Sequence, residues 1–227
     1  SAPEAGDYTA LPPGTNLFLL YGLHVRADDV YAGGNRVPLP GDLDLRANIS
    51  LLRYVRFVKI GNMILDPQVI VPIAHQKVGL SGQTTSGLGD IIFGATLWPI
   101  ANADTGENLG LTAFLSAPTG SDKNQGFSIS NNRWAADLQV GYIRRLSKEW
   151  TIDLIGQTEL YGDQRDTDLK KDPLFRGFAH LRYFFNPGTY LAATYRHSWG
   201  AKEKVGGATV AGSLDDSYVQ LAWASFL

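Results

Sequence analysis

The chain has 227 residues, which is enough for one large barrel or two small domains. Charged residues make up 19% of it, below the roughly 25% typical of soluble domains, while an apolar content of 44% argues against disorder. The net charge of -2, without a cluster of Lys and Arg, argues against nucleic-acid binding, and the absence of cysteine excludes disulfides, thiolate catalysis and zinc–thiolate sites.

Period-two alternation begins near residue 17 and predicts the first strand. Its apolar face consists of Leu17, Leu19, Tyr21, Leu23 and Val25, and its polar face of Gly22, His24, Arg26 and Asp28. The segment 43–51 repeats the pattern, with Leu43, Leu45, Ala47, Ile49 and Leu51 alternating with Asp44, Arg46, Asn48 and Ser50. A helix would spread these charges around its circumference, so both segments are predicted to be strands with an outward apolar face.

Eight further segments alternate in the same way. They cover residues 63–73, 90–97, 109–117, 133–142, 150–162, 175–183, 189–200 and 216–227. The chain is therefore predicted to contain about ten antiparallel strands, and most reach the ~9 to 11 residues that a tilted strand needs to cross a bilayer. No apolar run reaches the ~18 residues of a transmembrane helix, so a membrane form would have to use strands.

Short turns and long polar loops alternate between these segments. Short turns are predicted near residues 59–62, 103–106, 147–149 and 186–188, and long loops at 28–41, 75–86, 119–132, 163–172 and 201–213. Outer-membrane barrels have this layout, with short periplasmic turns and long extracellular loops. Aromatic residues on the outward face lie near the strand ends, as interfacial girdles require, whereas Trp98 falls on the inward face.

The main structural alternative is a soluble β-sandwich or lipocalin-like barrel, which also alternates. Here the charges within the strands are mostly Arg and Asp, which can pair inside a lumen, rather than the Lys and Glu of a solvated face. This favours an all-β transmembrane antiparallel barrel over residues 15–227.

The inward face of the strands predicts which residues line the lumen. They are Asp44, Arg46, Asn48, Arg56, Asp66, Gln68, Asp90, Asp137, Gln139, Asp153, Gln157, Glu159, Arg176, His180, Arg182 and Arg196. A barrel of this size is narrow, so facing Arg and Asp can form ion pairs that fill the lumen and stiffen the wall. For any single residue, this structural role is favoured over a direct part in transport.

Residues 1–14 are too rich in proline for a strand, and they are predicted to form a periplasmic tail or a plug inside the lumen. The tail is slightly favoured. The chain starts without a basic or apolar leader, as expected of a mature N-terminus or a trimmed chain. Pro67 and Pro72 share one predicted strand and motivate a lateral opening in the wall, because proline interrupts ladder hydrogen bonds.

No enzyme site, metal site or cofactor site is predicted. Gly87 and Gly89 do not form a phosphate loop, since another alternating strand follows them, and Asp90 beside them is expected to stabilise a turn or to bind a loop or the N-terminal segment. Adjacent His197 and Ser198 would point to opposite faces of a strand and cannot form a dyad.

Three short runs carry a resemblance to a known family. They are Ser86-Gly87-Leu88-Gly89-Asp90, Ala117-Pro118-Thr119-Gly120-Ser121-Asp122 and Asn131-Asn132-Arg133-Trp134. With the order of strands and loops, they resemble the outer-membrane channels named for the meta-pathway of phenol degradation. The resemblance implies a monomeric, twelve-stranded barrel that passes small hydrophobic or aromatic molecules. The family's twelve strands exceed the ten predicted here by two. We therefore expect either that two C-terminal strands are missing from this sequence or that the ten predicted segments merge strands that are separate in the family.

The sequence therefore predicts a diffusion channel of the bacterial outer membrane for small molecules. Its expected partners are membrane lipid and lipopolysaccharide and a small-molecule solute, without nucleic acid. Two alternatives remain open, a barrel enzyme acting on lipid and a non-conducting scaffold or adhesion barrel that works through its loops.

Overall fold

Ten long strands follow one another along the chain. The computed structural model describes residues 2–32, 35–121, 129–164 and 167–225, and within them contains strands and turns. The long strands are β1 (Asn16–Ala27), β4 (Leu45–Arg56), β6 (Met63–Val78), β8 (Ile92–Asn102), β9 (Glu107–Ser116), β10 (Ala135–Arg145), β11 (Trp150–Tyr161), β13 (Leu174–Asn186), β14 (Thr189–Gly200) and β17 (Leu214–Ser225). In this part of the chain there is no helix long and apolar enough to cross a membrane.

Seven short strands lie in the connections. They are β2 (Val30–Ala32), β3 (Asn35–Val37), β5 (Val58–Ile60), β7 (Gln83–Leu88), β12 (Leu169–Lys171), β15 (Glu203–Val205) and β16 (Ala208–Ala211). β2 and β3 form a hairpin, β12, β15 and β16 form a small sheet, and β5 and β7 pair with β6. Most of these short strands lie in the long connections, whereas residues 103–106, 146–149 and 187–188 are short turns. The short turns predicted near residues 103–106, 147–149 and 186–188 are present, whereas most of the predicted loop 75–86 is a hairpin of β6 and β7.

The long strands pair antiparallel in the order β1-β4-β6-β8-β9-β10-β11-β13-β14-β17. The main sheet contains twelve strands when β5 and β7 are counted with this path. Among the described residues, β1 and β17 at the two ends of the path each have one paired neighbour, so the path is open between them. The prediction of about ten wall strands in an all-β antiparallel fold is confirmed.

From β6 to β14, the inner face of the sheet is largely polar and the outer face apolar. Asp153 and His180 pair directly and are fully buried on the inner face, whereas Leu154 on the outer face is exposed. Aromatic pairs lie near both edges of the outer face, with Trp150 against Tyr183 near the short turns and Phe175 against Trp199 near the long loops. These pairs are about 26 Å apart along β13, which suits an apolar band bounded by interfacial girdles.

The first two wall strands, β1 and β4, have the opposite orientation to the one predicted. Directly paired residues share a face, and Val55 of β4 pairs with the inward Gln68 of β6. The apolar residues Leu17 and Leu19 of β1 therefore face inward with Val55. The prediction of lumen positions is wrong for Arg46, Asn48 and Arg56, which lie exposed on the outer face, and for Asp44, which precedes β4 with a φ of 39°.

The reason for this error is physical. Alternation separates two faces but does not say which one faces inward. The outer face needs to be apolar only where it contacts lipid, and β4 with 12 residues and β6 with 16 extend beyond the ~9 to 11 residues that cross the bilayer. Polar residues can therefore lie on the outer face near the ends of these strands, Arg46 and Asn48 towards the long loops and Arg56 towards the short turns.

Candidate channel lumen

The N-terminal segment lies against the inner face of the barrel wall. The Tyr8 hydroxyl donates a hydrogen bond to Gln139 Oε1 and shares another with the Thr112 hydroxyl, both at 2.9 Å. The Tyr8 ring is 4% exposed and meets Trp98 edge-on at 5.9 Å between ring centroids. Burial raises the pKa of the Tyr8 phenol well above its ordinary value, so Tyr8 remains a neutral donor.

Two glycines form the slot that holds the Tyr8 ring. Gly110 of β9 and Gly141 of β10 pair directly across the sheet on its inner face. A Cβ at Gly141 would lie 2.1 Å from Tyr8 Cγ, and one at Gly110 would lie 2.7 Å from Tyr8 Cδ1. Glycine within a strand commonly marks the close approach of another segment, and here that segment is the N-terminal one.

Backbone contacts hold the rest of the segment in place. The Gly6 amide donates to Asp153 Oδ2 at 2.8 Å, and the Ala5 carbonyl accepts from the Tyr190 hydroxyl at 3.0 Å. The Gly14 amide donates to the Phe57 carbonyl at 2.8 Å, which ties the end of the segment to the wall. Around Tyr8, an apolar cluster fills the interior of the barrel: Val55, Phe57, Trp98, Ile143, Ile155 and Phe178.

One polar network on the inner wall is centred on Asp66. Its carboxylate accepts hydrogen bonds from Trp98 Nε1 at 2.7 Å, from Gln68 Nε2 at 3.0 Å and from the Thr96 amide at 3.1 Å. Trp98 is therefore a lumen residue rather than a girdle residue, as its inward position in the sequence indicated. Arg53, which the sequence analysis did not predict, extends the network through a 2.8 Å bond from its Nε to Gln68.

A second network crosses β10, β11 and β13. Asp137 Oδ2 accepts from Gln139 at 2.9 Å and from Gln157 at 2.7 Å. Arg176 connects Gln157 with Glu159. These contacts join residues that the sequence placed inside the barrel into one continuous ladder.

A buried ion pair and a buried histidine complete this side of the wall. Arg182 Nη2 lies 2.8 Å from Asp153 Oδ1, and both side chains are almost fully buried. His180 Nδ1 lies 2.8 Å from Thr194 Oγ1. Of the predicted lumen residues, Asp66, Gln68, Asp137, Gln139, Asp153, Gln157, Glu159, Arg176, His180, Arg182 and Arg196 have side chains on the inner face.

Asp90 lies between β7 and β8, where it fixes a long loop. Its Oδ1 accepts from the Ser130 hydroxyl at 2.6 Å and the Gly120 amide at 3.0 Å, and its Oδ2 accepts from the Asn131 amide at 2.8 Å. A Cβ at Gly120 would lie 2.8 Å from Ser130 Cβ, so this glycine permits the close packing. The three sequence runs that carry the family resemblance thus meet in one structural contact.

The opposite side of the lumen is apolar. On β1, the inward face presents Tyr21, Leu23 and Val25, which are exposed to the lumen. Their partners on β4 are, in the same order, Leu51, Ile49 and Ala47. The lumen therefore has an apolar wall on β1 and β4 and a polar wall on β10 to β14.

Two cavities flank the N-terminal segment. A vestibule of about 540 Å³ opens among the short turns and is lined by Thr9, Asn108, Arg145, Lys148, Glu149 and Arg182, among others. A much smaller cavity, about 30 Å³, lies between Asp7 and Tyr8 of the segment and Arg53 and Phe114 of the wall. The second cavity holds about one water molecule.

The ladder continues past both prolines that motivated a lateral opening. Pro67 pairs with Ala95 of β8, and Pro72 pairs with Leu51 of β4. The Pro72 carbonyl also accepts from the Gly89 amide at 2.8 Å, where the edge of β6 changes its partner from β8 to β7. An opening at this strand would require these pairs to separate.

Tyr8, the Gly110–Gly141 slot and the apolar wall were not predicted from the sequence. The two glycines were the available signal, since each interrupts a strand at an inward position. In the described ranges, no group of three or more His, Asp and Glu side chains is arranged to hold a metal ion. His197 and Ser198 lie on opposite faces of β14, as predicted, because Ser198 is buried on the inner face and His197 is on the outer one.

The chain is similar to a known family and to a solved outer-membrane protein structure. The family described as "Putative MetA-pathway of phenol degradation" matches residues 27–222. The crystal structure of an outer membrane channel from Pseudomonas putida F1 is similar, with 28% identity, a TM-score of 0.89, and coverage of 99% of this chain and 87% of that chain. No curated protein sequence matches. Because the family match spans most of the chain, this protein belongs to that phenol-degradation family and is a β-barrel of the bacterial outer membrane.

Proposed function

We propose that the protein is a monomeric diffusion channel for small molecules, and that residues 2–14 plug its lumen and set its narrowest point. The observation that carries this proposal is the Tyr8 ring in its glycine slot, with a vestibule of about 540 Å³ on one side and a cavity of about 30 Å³ beside it. Solutes would move down their gradients between the long loops and the vestibule.

The solutes that suit this lumen have an apolar body and a polar group. The apolar side of Tyr21, Leu23 and Val25 would accept an aromatic or aliphatic body, while the polar ladder on β10 to β14 would hydrogen-bond its polar end. The name of the family, which refers to phenol degradation, supports such a solute, and the channel from Pseudomonas putida F1 supports a channel role.

The experiment that tests the channel is single-channel recording in planar bilayers of phospholipid. The full chain is expected to give small discrete currents, and a variant lacking residues 2–14 is expected to give currents several-fold larger. A barrel that inserts and conducts in neither form would contradict the channel, and equal currents in both forms would contradict the plug.

A second experiment tests the preference for apolar solutes. Liposomes containing the protein would be compared for their uptake of benzoate and of gluconate, which carry the same charge but differ in polarity. The variant Leu23→Ser with Ile49→Ser is expected to slow benzoate uptake without slowing gluconate. Its control, Leu20→Ser with Leu52→Ser, changes the outer face of the same strands, and an equal loss in the control would contradict a role for the apolar wall.

Contacts of His197 on the outer face make lipid hydrolysis a second candidate function. On the outer face, His197 Nδ1 lies 3.1 Å from Ser217 Oγ, and His197 Nε2 lies 3.4 Å from Asp215 Oδ1. Serine, histidine and carboxylate in series are the groups of acyl-transfer sites, although Asp215 is mostly exposed and water competes for it. Hydrolysis of phospholipid vesicles that Ser217→Ala abolishes and Ser225→Ala does not would establish this activity; no hydrolysis by the wild type would remove it.

A further inference from the structure

Three cations form a row across neighbouring strands on the outer face. Arg26 of β1 pairs directly with Arg46 of β4, and Arg46 pairs directly with Lys77 of β6. Strands in a sheet are about 4.8 Å apart, so the three side chains leave the wall side by side. We call these three residues the basic row. Like charges placed directly opposite each other destabilise a sheet, so anions bound to the row would stabilise it.

The anions of the protein neutralise the basic row only in part. Arg26 Nε lies 3.2 Å from Asp28 Oδ1, and Arg46 Nε lies 2.8 Å from Asp44 Oδ1. Each contact uses one of the five N–H donors of its guanidinium, and both arginine side chains are more than half exposed. Among the described residues, Lys77 has no carboxylate within ion-pair distance, and the nearby Asp29 is paired with Arg36.

The neighbouring rows give the position of the basic row relative to the membrane. The next row towards the short turns consists of His24, Asn48 and His75. The row after it contains Ser50 and Ile73, and the one beyond that is fully apolar, with Leu20, Leu52 and Val71. From Leu52 to Arg46 the strand rises about 20 Å, so the outer face changes from apolar to basic within the length of one lipid leaflet. The basic row lies at the end of the wall that carries the long loops.

We propose that the basic row binds the phosphate groups of lipopolysaccharide in the outer leaflet. This inference rests on the orientation of the proposed channel, in which the long loops are extracellular. The free N–H groups of Arg26 and Arg46 would bind phosphate oxygens in a fork, and Lys77 would add a point charge. The acyl chains would lie on Leu20, Leu52 and Val71, while His24 and His75 would border the sugar-phosphate region.

The test uses the full chain, purified in detergent and freed of bound lipid. Its binding would be measured with bisphosphorylated deep-rough lipopolysaccharide, with the same glycolipid after enzymatic removal of its phosphates, and with inorganic phosphate as a competitor. The variant Arg26→Gln, Arg46→Gln and Lys77→Gln is expected to bind the phosphorylated glycolipid about 100-fold more weakly, from roughly fivefold per cation.

The control variant removes the same charge at the other end of the barrel. It carries Lys59→Gln, Arg144→Gln and Lys148→Gln, all exposed near the short turns, and it is expected to bind like the wild type. Equal losses in both variants, or equal binding after phosphate removal, would overturn the proposal. Full displacement by inorganic phosphate at the concentration of the glycolipid would identify a site for free phosphate instead. Conductance in bilayers without lipopolysaccharide tests the channel separately, so either proposal can fail alone.

Discussion

At the scale of single residues, Gly141 decides whether the N-terminal segment can enter the lumen. In Gly141→Ala the new Cβ would lie 2.1 Å from Tyr8 Cγ, so the Tyr8 ring must leave its slot. Removing such a ring from its buried site costs roughly 1.5 to 3 kcal/mol, which is enough to populate the open form. Single-channel currents are expected to rise towards those of the chain without residues 2–14.

The matched control is Gly177→Ala. Gly177 also lies within a wall strand, but no atom lies within 4 Å of the position of its new Cβ. Its currents are expected to equal those of the wild type. Wild-type currents in Gly141→Ala would show that the slot adapts and that the glycine is not what admits the segment.

A second residue-scale prediction concerns the buried pair of Asp153 and Arg182. Replacing Arg182 by Gln leaves the buried carboxylate of Asp153 without its cation, and the free energy of unfolding is expected to fall by about 3 to 5 kcal/mol. Arg176→Gln, whose partner Glu159 is more accessible to solvent, is expected to cost less. Urea unfolding followed by tryptophan fluorescence measures both. An equal loss of unfolding free energy in the two variants would mean that the burial of an ion pair does not determine how much it stabilises the protein.

At the scale of elements, Asp90 fixes the loop between β9 and β10 through three hydrogen bonds. Replacing it by Ala should release residues 117–121 and 129–131 from β8. Because the chain contains no cysteine, a single Asn131→Cys change allows one spin label to be placed there. The label is expected to become more mobile in Asp90→Ala and to stay unchanged in Asp104→Ala, a short-turn control. Equal mobility in all three proteins would contradict the role of Asp90 in fixing this loop.

The strands could be predicted from the sequence because alternation is a local signal. In the wall strands from β6 to β17, polar and apolar residues alternate so that one face of each strand is polar. The position of these strands and the face that points inward follow from that pattern. The orientation of β1 and β4 could not be predicted, because here the more apolar face points inward and the face that mixes polar residues with Leu20 and Leu52 points outward. Only the pairing of Val55 with Gln68 defines the inner face. The site around Tyr8 was not predicted either, since contacts 104 and 131 residues apart leave no pattern in the segment itself.

At the scale of the whole molecule, the barrel differs between its two sides and between its two ends. One side of the lumen is apolar and the other is a hydrogen-bonded polar ladder, while the vestibule and the N-terminal segment lie at the short-turn end. On the outer face, the basic row lies at the opposite end. A single sheet can have these asymmetries because alternate residues of each strand face the lumen and the lipid.

The position of the segment predicts that block of the channel is sided. Thr9 lines the vestibule among the short turns, so the segment occupies the lumen from that end. A synthetic peptide of residues 1–14 added to the truncated channel on the short-turn side is therefore expected to restore small currents, and the same peptide with Tyr8→Ala is expected to be much weaker, because it lacks the ring and the hydroxyl that contacts Gln139. Equal block from both sides, or by both peptides, would mean that the peptide obstructs the pore without occupying the slot between Gly110 and Gly141.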